Sequence, residues 1–348
     1  MKIVDEVKKI IDPIYMVGGS VRDEVMGREP KDYDFATPIA PNEIEQRIRD
    51  AKRRPYLIGK RFGTIGVKID GQMVEITTFR QEKYDGFSRK PTVEFVGDLT
   101  SDLSRRDFTM NAMAKRDGRF IDPFGGREDI KRGVIRSVGN ATIRFKEDPL
   151  RMLRAARFSS QFEFGVDKSV EKSATRLSHR ILRVSKERWV MELDKLLMTD
   201  CPLIGLDFLM RTGVMRFIIP ELWIQDKYDQ RTKYHAYDLW THTMMTVANC
   251  PKDIDIRWAA LLHDVGKPFA KIDKGDRCIY PRHEMIGREL ALKIGGFLRW
   301  SNSRIEYVSE LVGDHLHPDS PLKEADIGAK GVPSPPSPPP KRLIKGVY

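Results

Sequence analysis

The sequence predicts an α/β unit followed by a long, helical remainder. Two observations carry this. Short alternating or apolar segments, separated by turn residues, crowd the first 137 residues with helical stretches between them. From about residue 139 the apolar side chains recur at helical spacing instead. The expected divisions are 1–137, 138–230, 231–325 and a proline-rich tail, 326–348.

Residues 3–11 have the apolar spacing of a short amphipathic helix. Ile14-Tyr15-Met16-Val17 reads as a strand running into Gly18-Gly19-Ser20-Val21-Arg22-Asp23, where a helix begins. Lys31-Asp32-Tyr33-Asp34-Phe35-Ala36 alternates as a strand does, and Pro41 and Asn42 precede a helix through Ile48. Residues 64–69 and 73–79 are strands around an Asp70-Gly71 turn. Residues 108–114 are expected to be helical. Further helices are predicted over 149–160, 185–198 and 201–217, and through most of 235–315. The run of prolines from Pro333 to Pro340 is extended, with only eight residues beyond it.

Composition narrows the function. The 348 residues include 61 basic and 50 acidic side chains, a net charge of +11 that favours a polyanionic partner without proving one. With 40% hydrophobic residues the chain suits neither a disordered segment nor a membrane protein, and no apolar run reaches about 18 residues. The charged N-terminus does not suit a signal peptide. Cys201, Cys250 and Cys278 lie too far apart for a Cys-x-x-Cys site and form no disulfide framework, so a reducing, cytoplasmic setting is expected.

Four sets of residues in the first 160 carry chemistry. A strand, then Gly18-Gly19, then Arg22, is either a phosphate cradle or an ordinary tight turn. Asp32 and Asp34 are two apart on a strand, so both face one side; they are either a pair of Mg²⁺ ligands or solvated surface. Glu75, between Val74 and Ile76, points away from both and can complete such a site or lie exposed. Asp102, Arg105, Arg106 and Asp107 form a mixed cluster, either a phosphate or base contact or a salt-bridged corner. Asp148 and Pro149 suit a helix N-terminus, where Asp148 can serve simply as the cap. Beyond them Arg151, Arg154 and Arg157 make an i, i+3 ridge that faces either anions or solvent. Asp148 and Arg151 also offer acceptors and donors of the kind that read a base edge.

These blocks together resemble the class II tRNA nucleotidyltransferases, the CCA-adding enzymes, which share their head with bacterial poly(A) polymerases. The matching segments run in family order: Val17-Gly18-Gly19-Ser20-Val21-Arg22-Asp23, Lys31-Asp32-Tyr33-Asp34-Phe35, Gly59-Lys60-Arg61-Phe62-Gly63-Thr64, Val74-Glu75-Ile76-Thr77-Thr78-Phe79-Arg80, Arg105-Arg106-Asp107-Phe108-Thr109-Met110-Asn111-Ala112, Ile121-Asp122-Pro123-Phe124-Gly125-Gly126 and residues 147–158. The resemblance implies a polymerase-beta-like nucleotidyltransferase head, 1–137, and an all-α neck and body, 138–230, binding the base and tRNA. It implies that Asp32 and Asp34 hold Mg²⁺, with Glu75 completing the catalytic set. Gly19, Arg22 and Arg105 would contact the triphosphate, Asp148 and Arg151 would pair with the base of CTP or ATP, and Arg154 and Arg157 would position the nucleotide. Residues 84–91 match the family's flexible loop. The implied reaction is untemplated addition of CCA to the tRNA acceptor arm with release of pyrophosphate. An A-adding enzyme of a split system and a poly(A) polymerase remain open alternatives, as do monomer and dimer.

A second resemblance lies in Ala259-Ala260-Leu261-Leu262-His263-Asp264-Val265-Gly266-Lys267, which is similar to the HD phosphohydrolases. It implies a helical HD domain over 231–325, with His242, His263, Asp264, His283 and Asp314 as ligands to Mn²⁺, Ni²⁺ or Mg²⁺ and a phosphoester substrate. A domain that has lost hydrolysis and only holds tRNA is the other reading. His315 is read as a helix histidine or a substrate contact. HD-containing members continue past a proline-rich linker into more helix, which this chain is expected to lack.

Overall fold

The computed structural model describes residues 2–30, 32–83, 92–232 and 236–330. The expected flexible loop 84–91, His235 and the proline-rich stretch lie outside the described residues. Two units are present, residues 1–147 and 148–348.

The first unit is built on a mixed seven-stranded sheet. Its strands are β1 (Tyr15–Val17), β2 (Tyr33–Thr37), β3 (Pro55–Tyr56), β4 (Thr64–Ile69), β5 (Gln72–Thr78), and, after a separate ribbon of β6 (Arg80–Lys83) and β7 (Thr92–Phe95), β8 (Ala114–Arg116) and β9 (Arg119–Ile121). The order across the sheet is β3-β4-β5-β2-β1-β8-β9. Helices α1 (Lys2–Ile10), α2 (Gly19–Val25), α3 (Pro41–Asp50), α4 (Leu99–Ser104), α5 (Gly126–Arg132) and α6 (Ala141–Glu147) complete the unit. Alternation in the strands decides which residues are buried. Ile65, Val67, Ile69, Val74, Ile76 and Phe35 point to one face, where Val7 and Ile11 after α1 and Ile44 and Ile48 of α3 close over them. The opposite face carries Asp34, Glu75 and Gly66. Asp70 and Gly71 both have positive φ, 47° and 85°, as a two-residue hairpin turn requires.

The helix expected over 108–114 is not formed. Residues Thr109–Asn111 make one 3₁₀ turn, and Ala114 opens β8, which pairs with β1. A strand of three residues is too short to show alternation, so pairing with β1 rather than local pattern decides its state.

The second unit is helical. It contains α7 (Leu150–Phe162), α8 (Lys168–Leu177), α9 (Lys186–Leu197), α10 (Pro202–Arg211), α11 (Met215–Ile218), α12 (Pro220–Trp223), α13 (Leu239–Asn249), α14 (Ile254–Leu262), α15 (Lys267–Ala270), α16 (His283–Leu298), α17 (Asn302–Gly313) and α18 (Lys323–Ala329). The single helix predicted for 201–217 is broken at Gly213, whose φ is +70°. Trp189, Leu193 and Leu196 form the buried side of α9. The first unit runs to Glu147, and α18 runs across position 325.

Candidate functional site

In the first unit the carboxylates meet through strand register. β2 and β5 run parallel with Asp34 opposite Glu75, so both side chains stand on the same open face. Asp32 is exposed and lies in a bend just before β2, not in the strand itself. Asp34 is partly buried, and its carboxyl is held above its ordinary value. Burial is the main cause, opposed by Arg106 and reinforced by Glu75 and Asp32. A half-buried carboxylate with two more acids beside it is a donor set that a divalent cation would stabilise.

Beside them is the glycine turn. Gly18 has φ +70°, and a Cβ there would lie 2.8 Å from Arg106 Nη1 and 3.6 Å from Asp34 Oδ2. Gly18, rather than Gly19, is therefore the position where only glycine fits. Arg22 is buried. Its Nη1 donates to Asn111 Oδ1 at 2.7 Å, and its Nε and Nη2 donate to Asp23 Oδ1 at 2.9 and 2.7 Å. Arg105 donates twice to the fully buried Asp102 Oδ1, at 3.0 and 2.9 Å. Arg106 is the arginine beside the turn and Asp34. It was legible only as one member of a mixed cluster, because the sequence does not say which of two adjacent arginines turns inward.

In the second unit Pro149, not Asp148, holds the cap position of α7, one residue later than expected, and Asp148 Oδ1 accepts from Leu150 N at 3.1 Å. Its Oδ2 pairs with Arg188 at 3.1 Å. Arg151 is buried. Arg154 and Arg157 converge on one carboxylate that the sequence reading missed: Glu192 of α9, at 3.4 and 2.7 Å. Arg157 also lies 4.1 Å from the Phe158 ring centroid. Two of the three ridge arginines thus face an internal anion.

The histidines gather in the same unit. His242, His263 and Asp326 form one group whose ligand atoms lie within 4.8 Å of one another; Asp264, His283 and His315 form another. Asp264 joins the two. Its Oδ2 is 3.3 Å from His242 Nε2 and 3.1 Å from His263 Nε2, while its Oδ1 is 3.3 Å from His283 Nε2 and 3.8 Å from His315 Nε2. In each of His263, His283 and His315, Nδ1 lies 2.7 to 2.8 Å from the backbone carbonyl three residues earlier. Donation there leaves Nε2 as a lone pair facing inward. His242 Nε2 and His263 Nε2 stand 3.1 Å apart, an arrangement that needs a shared proton or a cation. His283 Nε2 is buried and finds no hydrogen-bond partner among the described residues. These donors fit a metal ion.

Asp314 does not take part. It is exposed at the end of α17, and its neighbour His315 turns inward instead; consecutive residues leaving a helix point in different directions. Asp326 of α18 is the buried carboxylate, with Oδ1 3.0 Å from His242 Nε2. No local sequence signal marked it. Without metal, burial would lower the pKa of His242, but Asp264 and Asp326 outweigh it and raise it to about 9. Burial, with the charge of His263, lowers His315 to about 4. Burial pushes Asp264 up, but His263, Lys267 and His242 hold it well below the usual carboxylate range. A cavity of about 430 Å³ opens on the centre, lined among others by Lys267, Arg277, Tyr280 and Lys330.

Fold and sites together define a nucleotidyltransferase head joined to a helical unit with a histidine–aspartate centre. Residues 14–136 match the Poly A polymerase head domain, residues 163–225 the probable RNA and SrmB-binding site of polymerase A, and residues 239–344 the HD domain. The chain is 39% identical over 240 residues to the CCA-adding enzyme of Leuconostoc mesenteroides, covering 66% of this chain and 58% of that one. It is 38% identical over 275 residues to that of Geobacillus stearothermophilus, covering 77% and 64%. Among solved structures, the Bacillus stearothermophilus CCA-adding enzyme in complex with CTP superposes with a TM-score of 0.62 at 28% identity, over 94% of this chain and 80% of that chain. The chain thus carries a poly(A) polymerase-type head, the RNA-binding segment that accompanies it and an HD domain. It spans about three fifths of the length of the curated relatives it matches. Among the described residues no helix is long and apolar enough to cross a membrane.

Proposed function

We propose that the chain adds CCA to the 3′ end of tRNA from CTP and ATP, releasing pyrophosphate. The observation that carries this is the in-register pair Asp34 and Glu75 beside the Gly18 turn. Asp32, Asp34 and Glu75 would hold Mg²⁺. Bound there, Mg²⁺ lowers the pKa of the attacking 3′-hydroxyl and steadies the leaving pyrophosphate. Arg22, oriented by Asn111 and Asp23, and Arg106 supply positive charge for the triphosphate. Gly18 keeps the backbone clear of it. In the second unit, Asp148 and Arg151 offer an acceptor and a donor to the base edge, while Glu192 fixes Arg154 and Arg157. The net charge of +11 supports salt-dependent attraction to the acceptor arm. Its setting is read as cytoplasmic.

Three tRNA transcripts, ending at the discriminator base, at C and at CC, test this with Mg²⁺ and labelled CTP, ATP or both. Growth to a defined CCA end supports the proposal. Addition of A to the CC-ending transcript alone indicates a split-system enzyme, and a long A ladder a poly(A) polymerase. Asp34→Asn is expected to lower the rate at least about 100-fold, as loss of a preorganised electrostatic group does.

A second activity is favoured by the inward Nε2 atoms around Asp264 and the cations beside them. His242, His263, Asp264, His283, His315 and Asp326 would hold Mn²⁺, Ni²⁺ or Mg²⁺, which suit mixed imidazole and carboxylate donors. Lys267, Lys330 and Arg277 then attract a phosphoester. Release of the chromophore from a chromogenic phosphodiester, with a phosphomonoester as the other product, abolished by His263→Ala, tests this.

A further inference from the structure

The carboxylates have two different flanks. Toward β1 and α2 lie Gly18, Arg22 and Arg106, chemistry suited to phosphate. Toward the sheet edge the surface changes. The register runs Asp34, Glu75, Gly66, Tyr56 across β2, β5, β4 and β3. Three strand spacings of about 4.8 Å place Tyr56 roughly 14 Å from Asp34 along the same face. Gly66 lets Met73 and Tyr56 close over the strand between them, since a Cβ there would lie 3.3 Å from both Met73 Sδ and Tyr56 Cβ. Tyr56 and Met73, meeting over Gly66, are 36% and 44% exposed, while the chain continues into Ile58, 97% exposed. Arg54 lies 5.7 Å from the Tyr56 ring centroid, and Lys68 is exposed at the β4 position opposite Met73.

An exposed aromatic and a thioether meeting over a glycine, edged by cations and continuous with the carboxylates, have the chemistry of a base-stacking platform for single-stranded nucleic acid. We infer that this ledge, centred on Tyr56, Gly66 and Met73, holds the unpaired bases just upstream of the RNA 3′-hydroxyl. The inference rests on the proposed nucleotidyl transfer. A strand whose last hydroxyl reaches Asp34 and Glu75 cannot leave toward β1, where Arg22 and Arg106 serve the triphosphate. It leaves across β5, β4 and β3. Over roughly 14 Å that path passes about two nucleotides, so Tyr56 is a positioning residue for the primer end and takes no part in the chemistry.

The test compares wild type, Tyr56→Ala and Tyr56→Trp on a tRNA transcript ending in CC and on one ending at the discriminator base, with kcat and KM measured separately for RNA and for ATP or CTP. Stacking of one base predicts a KM for the CC-ending RNA raised about tenfold in Tyr56→Ala. It also predicts a smaller change on the shorter transcript, recovery in Tyr56→Trp, and unchanged KM for nucleotide. Thermal melts of the variants should coincide with wild type. Equal RNA KM values in wild type and Tyr56→Ala overturn the ledge and leave nucleotidyl transfer standing. An equal loss on both transcripts that Tyr56→Trp does not restore marks Tyr56 as structural and also overturns it. A wild-type chain that extends no RNA overturns the proposed transfer and the ledge with it.

Discussion

Replacing Asp326 with Asn separates the carboxylate the tertiary structure brings to the histidines from Asp314, the one the family resemblance implied. In metal-free protein, Asp326 Oδ1 lies 3.0 Å from His242 Nε2, and together with Asp264 it raises His242 from 6.5 to about 9 against the opposing effect of burial. At about 1.4 kcal/mol per pH unit this difference corresponds to about 3 kcal/mol. Half of that, about 1–2 kcal/mol, is the share expected from Asp326. The pKa of the folded state is raised, so the contribution is present in full below pH 6.5 and is lost as pH rises through about 9. Urea denaturation in EDTA should therefore show Asp326→Asn destabilised by about 1–2 kcal/mol at pH 6, with a smaller deficit at pH 10. Metal affinity, measured calorimetrically with Ni²⁺ or Mn²⁺, should fall at least tenfold, since even an outer partner of a metal ligand costs 10- to 100-fold. Asp314→Asn should change neither quantity. Retention of metal affinity by Asp326→Asn together with its loss in Asp314→Asn would refute the assignment.

Two further outcomes follow from packing. In Gly205→Ala the new Cβ would lie 2.4 Å from Ala156 O and 2.7 Å from Ser160 Oγ, so a loss of about 1–3 kcal/mol in urea denaturation is expected. Gly296→Ala, with nothing within 4 Å, is the control and should be neutral or stabilising. Cys250 is buried, and burial pushes its thiol up to about 11, so it should resist a disulfide reagent at pH 8 until urea unfolds the chain.

Much of the head was legible because its signals are local. The apolar alternation of β4 and β5, the Asp70-Gly71 turn and the glycines before α2 each reside within a few residues. Strand parity alone put Glu75 opposite Val74 and Ile76, and the parallel register with β2 then set it beside Asp34. The misses have a common cause. Ala114 joins a strand because β1 lies next to it, although its neighbours read as helix. Arg106 rather than Arg105 reaches the Gly18 turn, and neither has a local feature that distinguishes it from the other. Glu192 reads as one more polar residue on α9, yet it sits buried between two arginines of α7.

The histidine centre shows where local pattern stops. His263-Asp264 could be picked out through the resemblance of residues 259–267 to the HD phosphohydrolases, and the same resemblance supplied His242 and His283. The final carboxylate is different. Asp314 and Asp326 are both acids downstream of the others, and periodicity ranks neither above the other. Which one is a ligand depends on how α18 packs beside α13 and on the turn that ends α17. That placement is the sum of many weak apolar contacts from distant parts of the chain, such as Leu322, Ala325 and Ala329 in the core. Residue chemistry and secondary-structure period are encoded within a few positions. The convergence of donors from α13, α14, α16 and α18 on Asp264 exists only once those helices have buried their apolar sides together.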